Sequence, residues 1–195
     1  MYIKKVTGYV VPYITKSLFD RFEPVTQESK NWKRWVTHIG PFTCPYCFSR
    51  NGVILPIDED TGIPVHPNCH CEIITKISAT AGTATIDGEN GADYYLKFSG
   101  QLPDYYITLS DAKKLGWKAF LGNLDNLDKV APGKQLTKGI YRNYDGHLPN
   151  KYGRVWYEAD INYSSGFRNS MRIVYSNDGL IFVTYDHYQT FYEIV

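Results

Sequence analysis

The sequence predicts an α+β protein in which N-terminal helices pack on an antiparallel β-sheet, preceded by a small zinc-ribbon-like module. Three observations lead there. Capped helical patterns lie between about residues 90 and 121, and β-rich segments separated by turn residues follow Pro132. All 4 cysteines of the 195 residues fall between Cys44 and Cys71. Helices followed by hairpin-linked strands pack as α+β, whereas confined cysteines mark a local cross-linked or metal-bound unit.

The elements follow in chain order. Gln27 to Val36 carries Trp32 and Trp35 at helical spacing and is expected to be a short helix. Pro41, Pro45, Gly52, Pro56, Gly62, Pro64 and Pro67 then break the chain into loops and short strands. The stretch from Ile77 to Gly88 is small and polar and cannot bury enough apolar area to order itself. It predicts a linker over 77–87, between a module at 1–76 and a domain at 88–195. A helix is expected around Asn90–Phe98, ended by Gly100 and Pro103. Thr108 or Ser110 caps a second helix, which Gly116 stops. A third lies near Trp117–Leu121 or in the Asn/Asp/Leu stretch after it. Strands are expected at Arg154–Tyr157, Arg172–Tyr175, Leu180–Thr184 and Thr190–Ile194.

Charge and hydropathy exclude some function classes. No apolar run is long enough for a membrane helix, and the N-terminus lacks a signal-peptide pattern. The net charge is +1, and from Gly88 onward 12 Lys and Arg balance 12 Asp and Glu. A protein held on nucleic acid by charge alone is more basic. Any phosphate affinity is therefore local.

The cysteine pattern is Cys44-Pro45-Tyr46-Cys47, then Cys69-His70-Cys71, with His66 just upstream. A Cys-x-x-Cys turn presents two thiolates to one zinc, and a second pair closes a tetrahedron with no open position for chemistry. Cys44, Cys47 and Cys71 are the firmest ligands, and the fourth is Cys69 or His66. Two disulfides are the alternative. The stretch at about 30–75 resembles the Cys/His signature of phage Mu F-like minor head proteins. It shares the Cys-x-x-Cys, Asn51-Gly52 and the closing His66-Pro67-Asn68-Cys69-x-Cys71, with His70 where that family commonly has Arg. This resemblance implies a packaging or delivery module attached to something else.

Glu158, Arg168, Arg172 and His187 carry the chemistry. A carboxylate can take a proton from a ribose 2′-hydroxyl, and an imidazole can hand one to the departing 5′-oxygen. Two guanidiniums can hold the charge that builds on phosphorus between them. Spread over a solvated sheet face, the same four residues would form only surface ion pairs of small consequence.

From about Asp93 to the C-terminus the chain resembles the barnase-like microbial guanyl ribonucleases. Matching stretches include Leu102-Pro103-Asp104, Leu115-Gly116-Trp117, Gly122-Asn123-Leu124, Glu158-Ala159-Asp160-Ile161-Asn162-Tyr163, Ser165-Gly166-Phe167-Arg168-Asn169-Ser170 and Asp186-His187-Tyr188-Gln189-Thr190. The resemblance implies that fold, and an endoribonuclease that needs no cofactor for catalysis. Glu158 is then the general base, His187 the general acid, and Arg168 and Arg172 the phosphate-binding pair. Tyr188 stands beside the acid, and Asp160 orients the arginines. Arg142, Asn143, Tyr144 and Asp145 fall in the loop that recognises guanine, with Asp145 one methylene shorter than the family's Glu. Three positions depart from the family. Leu109 replaces an active-site lysine, Gly139 replaces that lysine's aspartate neighbour, and Tyr144 replaces an arginine. Lys138 or Arg142 is the expected source of compensating charge.

The two resemblances together imply the toxic end of a polymorphic bacterial toxin. It would be secreted or delivered from its producer and act on RNA in the cytoplasm of a target bacterium. A cognate immunity protein, barstar-like or unrelated, is the expected inhibitor. The competing expectation is a catalytically impaired ribonuclease fold that binds RNA or protein within a phage-derived structural protein.

Overall fold

The computed structural model describes residues 26–118, 125–163 and 168–195. The matched segments Gly122-Asn123-Leu124 and Ser165-Gly166-Phe167, and part of the expected third helix, lie outside the described residues.

The C-terminal part is built on a seven-stranded sheet. Its strands are β4 (Ser78–Ala79), β5 (Tyr106–Thr108), β6 (Gln135–Tyr141), β7 (Trp156–Asp160), β8 (Arg172–Ser176), β9 (Ile181–Thr184) and β10 (Tyr192–Ile194). Their order is β4-β10-β9-β8-β7-β6-β5. The five inner strands run antiparallel, as expected, whereas the edge strands β4 and β5 pair in parallel with β10 and β6. The expected strands begin or end up to three residues away from those observed, and β4, β5 and β6 were not foreseen.

Helices at Ala92–Ser99, Leu109–Lys114 and Asp125–Val130 precede the strands that bear the site. The first stops at Gly100, as the sequence suggests. The second is capped by Thr108, whose hydroxyl accepts from Asp111 N–H at 3.0 Å. Ala92 and Leu96 of the first helix pack with Ala159, Ile161, Ile173 and Val183 on one face of the sheet. Strand alternation turns Trp156, Glu158 and Asp160 of β7, with Arg172 and Val174 of β8, to the opposite face. That face carries the site.

The N-terminal module is a three-stranded antiparallel sheet of β1 (Trp32–Thr37), β2 (Ile54–Pro56) and β3 (Cys71–Ile74), ordered β2-β1-β3, with a short helix at Pro45–Arg50. The helix expected over Gln27–Val36 is therefore a strand. Both faces of β1 are covered. Trp35 packs with Val53 and Leu55 in the module's own core, and Trp32 packs against the cluster shared with the C-terminal sheet. A strand buried on both sides loses its alternation, and the two tryptophans then mimic a helical period.

The stretch read as a linker is also structured. Ile77, Ser78 and Ala79 are fully buried, β4 extends the large sheet, and Ala84 and Thr85 are buried as well. Asp93 explains the next turn, because its carboxylate accepts from Gly82 N–H, Ala84 N–H and the Thr85 hydroxyl. Small side chains read as a linker when counted alone, yet they let backbone approach backbone at a sheet edge. Among the described residues no helix is long and apolar enough to cross a membrane.

Candidate active site

Asp160, at the end of β7, organises the cationic side of the site. It is 1% exposed and binds both expected arginines. Arg168 Nε donates to Asp160 Oδ2 at 2.8 Å, and its Nη2 meets Oδ1. Arg172 Nε lies 3.0 Å from the same Oδ1. Asp160 and Arg172 are paired across β7 and β8, so backbone register sets this contact. Burial alone would weaken the proton hold of Arg168, but the bond to Asp160 and the charges of Asp160 and Glu158 outweigh it, and its pKa rises. Arg168 is therefore a permanent cation. Arg172 is further tied by Nη1 to the Asn169 carbonyl at 2.7 Å and the Met171 carbonyl at 2.6 Å. Asn169 braces the turn by donating to Ile161 O and Asn162 O, both at 3.0 Å.

Glu158 lies two residues earlier on the same face and is 8% exposed. The Tyr188 hydroxyl donates to its Oε2. Burial first, then this bond, pushes the Tyr188 pKa well up, so the phenol remains a donor. Tyr188 also stacks on Tyr141, with ring centroids 5.2 Å apart. Burial raises Tyr141 to about 12, with Asp145 and Glu158 as the neighbouring charges. The Asp145 and Glu158 carboxylates thus act on one ring.

His187 is exposed at the tip of the β9–β10 loop, with its ring 4.8 Å from that of Tyr188. Both residues have left-handed backbones, His187 at φ 61 and Tyr188 at φ 72. Such conformations cost on the order of 1–3 kcal/mol each and persist only where the surroundings impose them. Here Asp186 Oδ1 accepts from Gln189 N–H at 3.1 Å, Thr190 N–H at 2.8 Å and the Thr184 hydroxyl at 3.0 Å. Thr184 Oγ1 accepts from Tyr188 N–H, and His187 N–H donates to Ser170 O at 3.2 Å. The His187 loop is thereby tied to the segment that bears the arginines.

The loop from Arg142 to Leu148 forms the other wall. Arg142, Tyr144 and Asp145 are exposed, Tyr144 almost fully. Asn143 is buried, and its amide is used within the loop, donating to Leu148 O at 2.8 Å and Asn150 Oδ1 at 3.1 Å and accepting from Leu148 N–H at 3.1 Å. Its side chain shapes the loop, while Tyr144 and Asp145 present groups outward. Leu109 is half-buried against the helical cluster of Ala112, Trp117, Leu127 and Leu136. Gly139 sits across from Glu158 in the β6–β7 pairing, beside a bulge. The side chain of Lys138 lies outside the described residues, and Arg142 points to solvent.

The cysteine cluster forms a separate donor set. The Cys44 thiol caps the Pro45–Arg50 helix by accepting from Cys47 N–H at 3.3 Å. His66 Nε2 lies 3.3 Å from Cys44 Sγ and 3.2 Å from Cys47 Sγ, and Cys47 Sγ lies 4.0 Å from Cys69 Sγ. Cys44, Cys47 and His66 form one group able to hold a metal, and Cys47, Cys69 and Cys71 another, sharing Cys47. With zinc–sulfur bonds of about 2.3 Å, tetrahedral ligands are separated by roughly 3.5–3.8 Å, so the residues present fit such an ion. All four cysteines are thiols. The Cys47 N–H holds Cys44 below the usual thiol range, and backbone groups at Val65 and Cys71 bring Cys69 down to about 7. Burial and then crowding by the other thiols push Cys47 up.

The structure brings together Glu158 with Tyr188 and Asp160 with Arg168 and Arg172, all expected from the sequence, whereas Asn169, Ser170, Asp186 and His147 had been given no role. Asn169, Ser170 and Asp186 sit in the matching stretches of the sequence, so a signal existed. His147 carried none.

A family model described as ribonuclease matches residues 89–195. A ribonuclease of Heyndrickxia coagulans is 53% identical over 110 residues, covering 56% of this chain and 95% of that protein. Ribonucleases of Bacillus intermedius and Bacillus pumilus are each 48% identical over 123 residues, covering 63% of this chain and 72% of theirs. The module at 26–75 lies outside the family match. With that match spanning more than half of its length, the chain belongs to the ribonuclease family.

Proposed function

We propose that the chain is an endoribonuclease that cleaves single-stranded RNA without a metal, by attack of the 2′-hydroxyl on the adjacent phosphorus. Glu158 takes the 2′ proton, the 2′-oxygen bonds to phosphorus, and the 5′-oxygen leaves with a proton from His187. The product is a 2′,3′-cyclic phosphate, hydrolysed more slowly with the two roles exchanged. Arg168 and Arg172, held by Asp160, stabilise the charge on the phosphoryl oxygens. The single observation that carries the reading is that Glu158, Asp160 and Arg172 share one sheet face, with Arg168 and the Tyr188–His187 loop brought onto it. Tyr144 and Asp145 favour guanine on the 5′ side of the cut. Loss of the lysine at Leu109 lowers the rate, by on the order of a hundredfold.

Cys44, Cys47, Cys71 and either Cys69 or His66 hold one structural zinc, which stabilises a module with a small core of its own. The resemblance of this module to phage head-protein segments supports a delivery role. The protein is then a toxin of interbacterial competition, released or delivered by its producer and acting in the cytoplasm of a target bacterium. A cognate immunity protein that covers the arginines and His187 protects the producer.

The test is cleavage of RNA in EDTA by the wild type, Glu158→Ala and His187→Ala. Cleavage that survives EDTA and is lost in both variants, with cyclic phosphate ends after guanosine, is expected. An inactive wild type between about pH 5 and 8, where imidazole titrates, would leave only an RNA- or protein-binding fold. That alternative is favoured by a single observation, the packing of Leu109 into the helical core.

A further inference from the structure

The N-terminal module grips the two loops that wall the site. Ile54 N–H donates to His147 O at 2.8 Å, at the end of the guanine loop. His147 Nδ1 in turn lies 3.2 Å from the Tyr188 carbonyl, so the ring must carry its proton on Nδ1. Gly52 lies at this junction. Its φ of 83 is a backbone that glycine adopts most easily, and a Cβ there would stand in ordinary contact with the His147 ring at 3.4 Å and Gln189 O at 3.6 Å.

Arg34 makes the second grip. It is 8% exposed, on the central strand of the module. Its Nη2 donates to the Phe191 carbonyl at 2.8 Å, and its guanidinium lies 5.6 Å from the centre of the Tyr192 ring. Burial lowers its pKa, and the charges of Tyr192 and Asp186 act against that. Asp186 is the residue that folds the loop bearing His187. Beneath both grips, Ile54 and Ile77 pack with Leu148, Trp156, Phe182 and Phe191 in one cluster.

We propose that Arg34 and His147 are positioning residues for catalysis, through which the module holds the His187 loop and the guanine loop in register with Glu158. The physical reason is the left-handed pair His187-Tyr188. A strained loop stays in its working geometry only while enough contacts hold it, and the module supplies one directly, from Arg34 to Phe191 O, and one through His147, whose carbonyl Ile54 N–H holds while its ring meets Tyr188 O. The module is then part of the catalytic unit and is not simply cargo or carrier. This rests on the ribonuclease reading above.

The experiment uses the full chain as wild type, Arg34→Lys, Arg34→Met and His147→Ala. Cleavage of a guanosine-containing dinucleotide gives kcat and KM separately, and near-UV circular dichroism gives the folded fraction. Arg34→Met is expected to lower kcat per folded molecule by roughly tenfold or more, since sub-ångström misplacement of a catalytic group has effects of that order. KM should change by less than about threefold, and Arg34→Lys should restore much of the rate. His147→Ala should also lower kcat, and it decides the matter if Arg34→Met does not fold. Wild-type kcat in both variants, or a loss matching only the unfolded fraction, overturns the proposal. An inactive wild type overturns the ribonuclease reading itself.

Discussion

Gly139 faces Glu158 directly across the β6–β7 pairing, with a φ of 88 and no atom within 4 Å of where its Cβ would be. Glycine is the residue that holds this bulged backbone most easily. Gly139→Ala meets no steric clash, so its cost is conformational. We predict a destabilisation of about 1 kcal/mol in urea unfolding, with KM unchanged. A neutral or stabilising result would show that the bulge does not need glycine.

Asp160 sits beneath Arg168 and Arg172 as their shared anion. Asp160→Asn keeps the shape and removes the charge, leaving two guanidiniums without their carboxylate. Breaking a buried ion pair from one side costs about 3–5 kcal/mol. Thermal unfolding should show a fall of that order, and cleavage should drop by roughly a hundredfold or more in the protein that still folds. Retention of activity would mean that the arginines do not need Asp160 to orient them.

The module's donor set gives a metal prediction. Purified under reducing conditions, the chain should carry about one zinc per molecule. Cys47→Ser, which removes the residue common to both donor groups, should abolish that zinc. Elemental analysis with thiol titration reads both. No metal together with no titratable thiols would mean that the cysteines pair as disulfides.

Arg154 and Asp178 provide a pH test away from the site. Arg154 Nε and Nη2 each donate to Asp178 at 2.8 Å, and Lys151 lies 3.9 Å away. The hydrogen bonds from Arg154 hold the Asp178 carboxyl far below the usual carboxylate range. Because the folded pKa is depressed, the pair's contribution is fully present above the unfolded value of about 4 and fades as pH falls through the folded one. Asp178→Asn should therefore cost about 1 kcal/mol at pH 7, and the difference from wild type should shrink below about pH 4. A difference that grows in acid would reverse the assignment.

Much of the site was legible in the residues themselves. Glu158, Arg168, Arg172 and His187 declare their chemistry by type, and the motifs around them are long enough to identify. Cap and stop signals also placed the Ala92–Ser99 and Leu109–Lys114 helices, because those signals are local hydrogen-bond and backbone preferences.

The rest was decided by burial from distant parts of the chain. Trp32 and Trp35 read as helical until both faces of their strand were covered, one by the module's core and the other by the ribonuclease sheet. Ser78 and Ala79 read as a linker until β10 paired with them. Arg34 carried no signal, since its hydrogen bond to a carbonyl 157 positions away, at 2.8 Å, forms only when the whole chain has folded. Chemistry and local geometry were thus determined by the sequence alone. Which surfaces meet, and so which residues contact the loops of Arg142–Leu148 and His187, was settled only by tertiary packing, because burial depends on the whole chain.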